Sequence, residues 1–187
     1  MKKFLLSFLL AAFAGGAMAA ELAGVTLPDT AEVGGEQLTL TGLGLREKGW
    51  FDVYVGGLYL AGPVENAESA ISMPGPSRMV MHFVRDVPGD KIVDGWNDGF
   101  RNNNEKAVID ALGERLEKFN GFFAGEIKDD QAVVLDYVPN EGTHVSVGGE
   151  EKGTIEGEDF AHALRAVWLG PKPPSKNFKE GLLGEAK

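Results

Sequence analysis

Two neighbouring segments with a two-residue apolar period limit most strongly what this chain can fold into. Residues 37–47, QLTLTGLGLRE, and residues 50–61, WFDVYVGGLYLA, both have the pattern of β-strands, and Lys48-Gly49 between them is typical of a turn. Aromatic residues occur on both faces of the second segment, from Trp50 onwards, so we expect both faces to be covered. The Gly56-Gly57 pair in its middle indicates a bulge or a close approach by another element.

Arg46 lies near the end of the first of these strands, at the rim of an apolar region. If the two strands are neighbours, the phenol of Tyr54 stands within several ångströms of the guanidinium of Arg46. The two groups together would offer several hydrogen-bond donors to a carboxylate or a phenolate. The alternative is that Arg46 pairs with Glu47 or Asp52, while Tyr54 only packs in the core.

The remaining segments predict further strands and several helices. Helical spacing covers 65–72, 89–104, 105–123, 158–170 and 177–184, and strand patterns cover 78–87, 131–139 and 142–149, with a short edge strand at 152–157. We expect the apolar stripes of the longer helices to be buried, namely Ile92, Trp96, Gly99 and Phe100, then Val108, Ala111, Leu112, Leu116, Phe119 and Phe123, then Phe160, Ala163, Leu164, Val167 and Trp168. This order of elements predicts an α+β domain with helices packed on a largely antiparallel sheet.

The N-terminus has the three-part pattern of a secretory signal peptide. Two lysines precede an apolar run over residues 4–16, and Ala17-Met18-Ala19 follows, so we expect cleavage after Ala19. An uncleaved anchor is the alternative, although the run is shorter than the roughly 20 apolar residues that span a bilayer. We expect residues 1–19 to be the signal and residues 20–187 a single exported domain. The absence of cysteine fits a bacterial periplasm.

Composition and motifs argue against several classes of function. The net charge of -10 becomes -12 when Lys2 and Lys3 leave with the signal, which carries no acid, so a nucleic-acid partner is not expected. The three histidines lie on separate elements without metal-ligand spacing, and neither a nucleophile elbow nor a phosphate-binding loop occurs. We therefore expect no metal, no cofactor and no hydrolase chemistry.

Several quoted segments occur in the order seen in the bacterial chalcone-isomerase-like proteins. They are GLGLRE, FDVYVGGLYLAG, MVMHFVRDV, IVDGWNDGF, VVLDYVPNEGTHVSVGG and GTIEGEDFAHALRAVWLG, and the chain resembles that family over nearly all of residues 20–187. The resemblance implies an open-faced β-sandwich, in which helices lie over one face of a long sheet and leave a ligand cleft between them. The family includes plant chalcone isomerases, non-catalytic relatives and plastid fatty-acid-binding proteins.

The resemblance also implies roles for individual residues. Arg46 matches the arginine that steadies the reacting phenolate in true isomerases, and it would be the catalytic residue if this chain were an isomerase. The isomerases' threonine on the next strand corresponds to Tyr54, and their hydroxyl-bearing pair falls on Val167 and Trp168, which lack hydroxyls. Asn97 is the nearest candidate for the isomerases' asparagine.

Three functional hypotheses follow from this comparison. An arginine with a tyrosine on the next strand resembles the carboxylate-holding pair of the fatty-acid-binding branch. This favours a non-catalytic periplasmic protein that binds a fatty acid or another amphipathic or aromatic acid, with Trp96, Phe100, Val167 and Trp168 around the tail. The second hypothesis is an intramolecular lyase or isomerase acting on a chalcone-like enone. The third is an interaction domain whose cleft is filled by its own aromatic side chains.

Overall fold

The computed structural model describes residues 19–185, and the predicted signal therefore lies, apart from Ala19, outside the described residues. The described residues form nine strands: β1 (Ala19–Leu22), β2 (Val25–Pro28), β3 (Thr30–Val33), β4 (Glu36–Lys48), β5 (Phe51–Leu60), β6 (Ser77–Phe83), β7 (Ala132–Val138), β8 (Gly142–Val147) and β9 (Glu150–Ile155). The same residues form five helices: α1 (Ala67–Ile71), α2 (Gly89–Asn103), α3 (Lys106–Gly121), α4 (Glu158–Leu169) and α5 (Lys176–Leu182). Within this part of the chain, no helix is long and apolar enough to cross a membrane.

Strands β3 to β9 form one antiparallel sheet in which every strand pairs with its neighbour in sequence. All five helices pack on one face of this sheet, around a core that includes Phe83, Phe119 and Phe160. The short β1–β2 sheet covers part of the other face, where Val25 and Leu27 join a second apolar cluster. The predicted α+β fold, with helices on one face of an antiparallel sheet, is confirmed.

Helix α5 approaches the sheet so closely that glycine is required beneath it. A Cβ atom on Gly44 would lie 2.5 Å from the main-chain oxygen of Phe178, and one on Gly56 would lie 2.6 Å from the ring of Phe178. The close approach predicted at Gly56-Gly57 is therefore confirmed. The β4–β5 bulges lie elsewhere, between Leu40 and Gly42 and between Arg46 and Glu47.

The tip of the β4–β5 hairpin contradicts the prediction of a strand covered on both faces. Trp50 lies in the turn with 98% of its surface exposed, and Phe51, the first residue of β5, is 58% exposed. The reason is that β6 pairs with β5 only from Tyr54 onwards, so the end of the hairpin projects beyond the neighbouring strand.

The stripe predicted for α3 is correct in its centre and wrong at its start. Leu112, Leu116 and Phe119 are buried, whereas Val108 is 36% exposed and Ala111 is also exposed. Ala111 is one residue, and so about 100°, away from the buried side at Leu112. The first turn of α3 extends past the elements that cover its later turns.

Helix α4 is buried nearly all round, and it includes a buried arginine, Arg165, that was not predicted from the sequence. Arg165 donates hydrogen bonds to Ile71 O at 2.8 Å, Ser77 Oγ at 2.9 Å and Met73 O at 3.2 Å. Burial lowers the pKa of Arg165 to about 10, so the guanidinium remains a cation at neutral pH. It links α4 to the connection between α1 and β6.

Candidate ligand-binding cavity

A cavity of about 390 Å³ lies between the sheet and the helices, open at one end. Strands β4, β5 and β6 form one wall, and α2 and α4 form the other. The α4–α5 connection lines the rim of the cavity, where the exposed residues Lys48, Lys91 and Asp94 also lie. The walls are formed by Arg46, Lys48, Val53, Tyr54, Met81, Phe83, Val87, Lys91, Ile92, Asp94, Gly95, Trp96, Asp98, Gly99, Asn102, Val167, Trp168, Lys172, Pro173 and Pro174.

The interior walls are mostly apolar and are held rigidly by aromatic packing. Trp96 and Trp168 meet edge to face with their ring centroids 5.3 Å apart. Tyr54 meets Phe83 at 5.4 Å, and it meets the ring of Phe178 edge-on at 5.6 Å. Such contacts fix the side chains around the cavity.

Arg46 faces Tyr54 directly across β4 and β5, as the sequence analysis expected of neighbouring strands. Its guanidinium donates to the main-chain oxygen of Glu47 and, at 3.5 Å, to that of Pro174. Within residues 19–185 no carboxylate forms an ion pair with Arg46, so the proposed pairing with a Glu47 or Asp52 side chain is wrong. Most of the donors of this guanidinium remain available to an anion.

The hydroxyl of Tyr54 is buried and accepts a hydrogen bond from Trp168 Nε1 at 3.1 Å. Burial raises the pKa of Tyr54 to about 12, although the Trp168 hydrogen bond and the Arg46 charge both act in the opposite direction. The phenol is therefore protonated at neutral pH. No acceptor among the described residues takes its proton, so this O–H can donate to a ligand beside Arg46.

The rim of the cavity carries an excess of cations in a chain with a net charge of -10. Lys91 lies 3.4 Å from Asp94 and is thus partly neutralised, and Asp98 pairs with Arg101 at 2.8 Å. Lys48 and Lys172 form no ion pair with any described residue. An anionic head group would therefore meet an attractive potential at this opening.

Asn103 holds the α4–α5 connection in place at the rim of the cavity. Its amide donates to Gly99 O at 3.0 Å and to Lys172 O at 2.9 Å, and its oxygen accepts from Lys172 N at 2.7 Å. Asn103 was not among the residues predicted to form the site. Its amide fixes the Lys172–Pro174 rim against α2.

Five of the seven residues predicted to bind a ligand line this one cavity: Arg46, Tyr54, Trp96, Val167 and Trp168. Asn97 does not line it, because its oxygen accepts from Asn120 at 3.0 Å. Phe100 does not line it either, since it is 1% exposed and packs between Phe119 and Phe160. The helical stripe of α2 joins the core side and the cavity side, and spacing alone did not separate them.

Several residues that line the cavity were not predicted from the sequence, and only some of them follow a pattern that could have indicated them. Met81 and Phe83 alternate along β6 on the face that holds the helices, and the two-residue period of residues 78–87 could have indicated them. Lys172, Pro173 and Pro174 lie in an irregular segment whose position depends on tertiary contacts alone. Within residues 19–185 no His, Asp and Glu cluster could hold a metal ion.

An antiparallel sheet with helices on one face and a cavity between the two layers defines this chain as an open-faced β-sandwich. The family model described as chalcone isomerase-like matches residues 19–184, and the chain belongs to that family. The fold is also similar to that in the crystal structure of a fatty-acid binding protein from Arabidopsis thaliana, with a TM-score of 0.70. That similarity covers 89% of this chain and 96% of the plant chain at 17% sequence identity, which shows a shared fold. No curated protein sequence matches this chain significantly.

Proposed function

We propose that this protein binds a fatty acid or a similar amphipathic carboxylate in the cavity, that it acts in the periplasm and that it is not a catalyst. The observation that carries this proposal is the pair of unused donors at the opening. Among the described residues, Arg46 has no carboxylate partner and the O–H of Tyr54 has no acceptor.

The pair suits a carboxylate for a specific physical reason. A guanidinium presents parallel N–H donors that match the two oxygens of a carboxylate, and a neutral phenol adds a third donor. The raised pKa of Tyr54 keeps that donor protonated at the pH where the ligand is ionised. Lys48 and Lys172 at the rim favour the approach of the same anion.

The cavity interior suits an apolar tail. Burial of each methylene group contributes about 0.8 kcal/mol, so an acyl chain can bind well with a single polar anchor. The volume of about 390 Å³ falls within the range of small-molecule sites, roughly 300–1,000 Å³. This space favours ligand binding over the hypothesis of a cleft filled by its own side chains.

The similar plant structure supports the same choice, because it is the structure of a fatty-acid binding protein. The isomerase hypothesis receives less support from the site. Val167 provides no hydroxyl at the wall of the cavity, and the indole N–H of Trp168 is already used by Tyr54.

Native mass spectrometry of protein purified from its own periplasm tests this proposal. We expect a bound amphipathic acid in the wild-type protein and its loss in Arg46→Ala. Lys106→Ala is the matched control, since it also removes one positive charge but from the exposed Lys106–Asp110 pair on α3. Wild-type protein without any retained acid, or equal retention in Arg46→Ala, would contradict the proposal.

A further inference from the structure

The β4–β5 hairpin tip exposes two large aromatic side chains side by side. Trp50 is almost completely exposed and Phe51 is more than half exposed, and the other large apolar residue exposed in the described chain is Val108, far away in sequence. Single exposed apolar residues are common, but a fully solvated tryptophan next to an exposed phenylalanine on a projecting turn indicates a surface that is covered by something else.

Charges at this tip are separated between its two faces. Arg46 and Lys48 alternate onto the side of β4 that lines the cavity. Glu47 lies between them on the opposite side, where it is the register partner of Asp52. On the cavity side, Lys48 is the register partner of Phe51, so a cation and an aromatic ring occur together there.

A third cation, Arg85, lies at the tip of the hairpin, just after the end of β6. The guanidinium of Arg85 lies 4.4 Å from the centroid of the Phe51 ring. The exposed aromatic pair is thus bordered by Lys48 and Arg85, and the rim lysine Lys172 lies across the cavity opening. We call Lys48, Trp50, Phe51 and Arg85 the tip surface.

We infer that the tip surface docks on an anionic lipid bilayer. Tryptophan and phenylalanine rings enter the interfacial zone of a bilayer, and lysine and arginine beside them meet the phosphate groups of anionic lipids. The chain as a whole has a net charge of -10, so an anionic surface attracts it only where cations are clustered, as Lys48 and Arg85 are at the tip surface. Docking in this way places the cavity opening against the lipid. The inference needs no ligand in the cavity and stands apart from the proposed function.

Vesicle binding tests the inference, and the protein supplies its own reporter. Trp96 and Trp168 are buried, so Trp50 is the tryptophan whose emission responds to a new environment. We expect binding and a blue shift with vesicles of equal parts phosphatidylcholine and phosphatidylglycerol, and about tenfold weaker binding with phosphatidylcholine alone or at high salt. The double variant Trp50→Ser/Phe51→Ser should bind the anionic vesicles at least about tenfold more weakly.

Val108→Ser is the matched control, because it removes the other exposed apolar side chain and should leave vesicle binding unchanged. Absence of binding to anionic vesicles, or equal loss in both variants, would overturn the inference. A Trp50 blue shift that depends on protein concentration without vesicles would overturn it too, in favour of a protein contact. Loss of fatty-acid binding in Arg46→Ala with unchanged vesicle binding would separate this surface from the ligand site.

Discussion

Tyr54 is buried beside a guanidinium, and burial and the cation act on its hydroxyl in opposite directions. Burial is the larger effect and raises the pKa of Tyr54 to about 12, while the Trp168 hydrogen bond and then Arg46 lower it. The same balance raises the pKa of Tyr59 to about 12, where Arg78 opposes burial. The site thus depends on the neutral phenol of Tyr54 next to Arg46, a cation that pairs with no carboxylate within residues 19–185.

The tyrosine pKa values predict how the folded protein responds to high pH. A pKa raised in the folded state contributes stability below the unfolded value of about 10, and this contribution is lost as the pH rises towards 12. For Tyr54 the loss is at most about 3 kcal/mol of unfolding free energy. We expect less tyrosinate absorbance from the folded protein at about pH 10.5 than after unfolding in denaturant, because Tyr54 and Tyr59 remain protonated in the folded state. Titration of all three tyrosines near their ordinary pKa in the folded protein would contradict this.

The pairing of Arg46 with Tyr54 could be predicted because a short turn fixes the register of a hairpin. The exposure of Trp50 could not be predicted, because the alternating pattern does not reveal where the neighbouring strand β6 ends. Asn97 was proposed from the resemblance to the isomerases' asparagine and not from helical spacing, whereas Phe100 was misplaced for a related reason. A 3.6-residue period identifies the apolar side of α2 but does not divide that side between core and cavity.

At the scale of elements, α5 supports the site from behind. It packs closely on β4 at Gly44, and its Phe178 ring contacts Tyr54 edge-on. Helical spacing predicted a helix over 177–184, and its Phe178 and Leu182 are buried. What could not be predicted is the strand on which it lies, because glycine in a strand indicates a close approach without identifying the partner.

Alanine substitution tests the α5 contact. Gly44→Ala would place a Cβ atom 2.5 Å from Phe178 O, so α5 must shift, and we expect a loss of about 1–3 kcal/mol in unfolding free energy. Gly113→Ala on α3 is the control, because nothing lies within 4 Å of its Cβ position, and it should stabilise the protein by about 0.5–1 kcal/mol. Urea unfolding measures both. Gly44→Ala that is as stable as the wild type would show that α5 does not pack as described.

At the scale of the whole molecule, the fold class and the family were predictable from the order of strands, helices and quoted segments. The position of the cavity opening was not predictable from the sequence, because it depends on the Lys172–Pro174 segment, which Asn103 holds. The predicted export and periplasmic location rest on residues 1–19 and remain predictions.

We predict that the whole protein lacks chalcone isomerase activity. The resemblance to the family implies that Val167 and Trp168 replace the isomerases' hydroxyl-bearing residues, so we expect no cyclisation of a hydroxychalcone above the uncatalysed rate. Loss of the chalcone absorbance in proportion to protein concentration would contradict this. If that loss also disappeared in Arg46→Ala, the isomerase hypothesis would replace the binding proposal.

Titration of a fluorescent fatty acid into the wild type and a set of variants tests whether Arg46 anchors an anionic ligand. A charged hydrogen bond contributes roughly 1.5–3 kcal/mol, so Arg46→Ala should weaken binding about ten- to a hundredfold. Arg46→Lys should recover part of that loss, since an ammonium group cannot hold a carboxylate with two parallel bonds. Tyr54→Phe should weaken binding less, and Lys106→Ala should leave it unchanged. Equal affinities across the whole set would contradict the account.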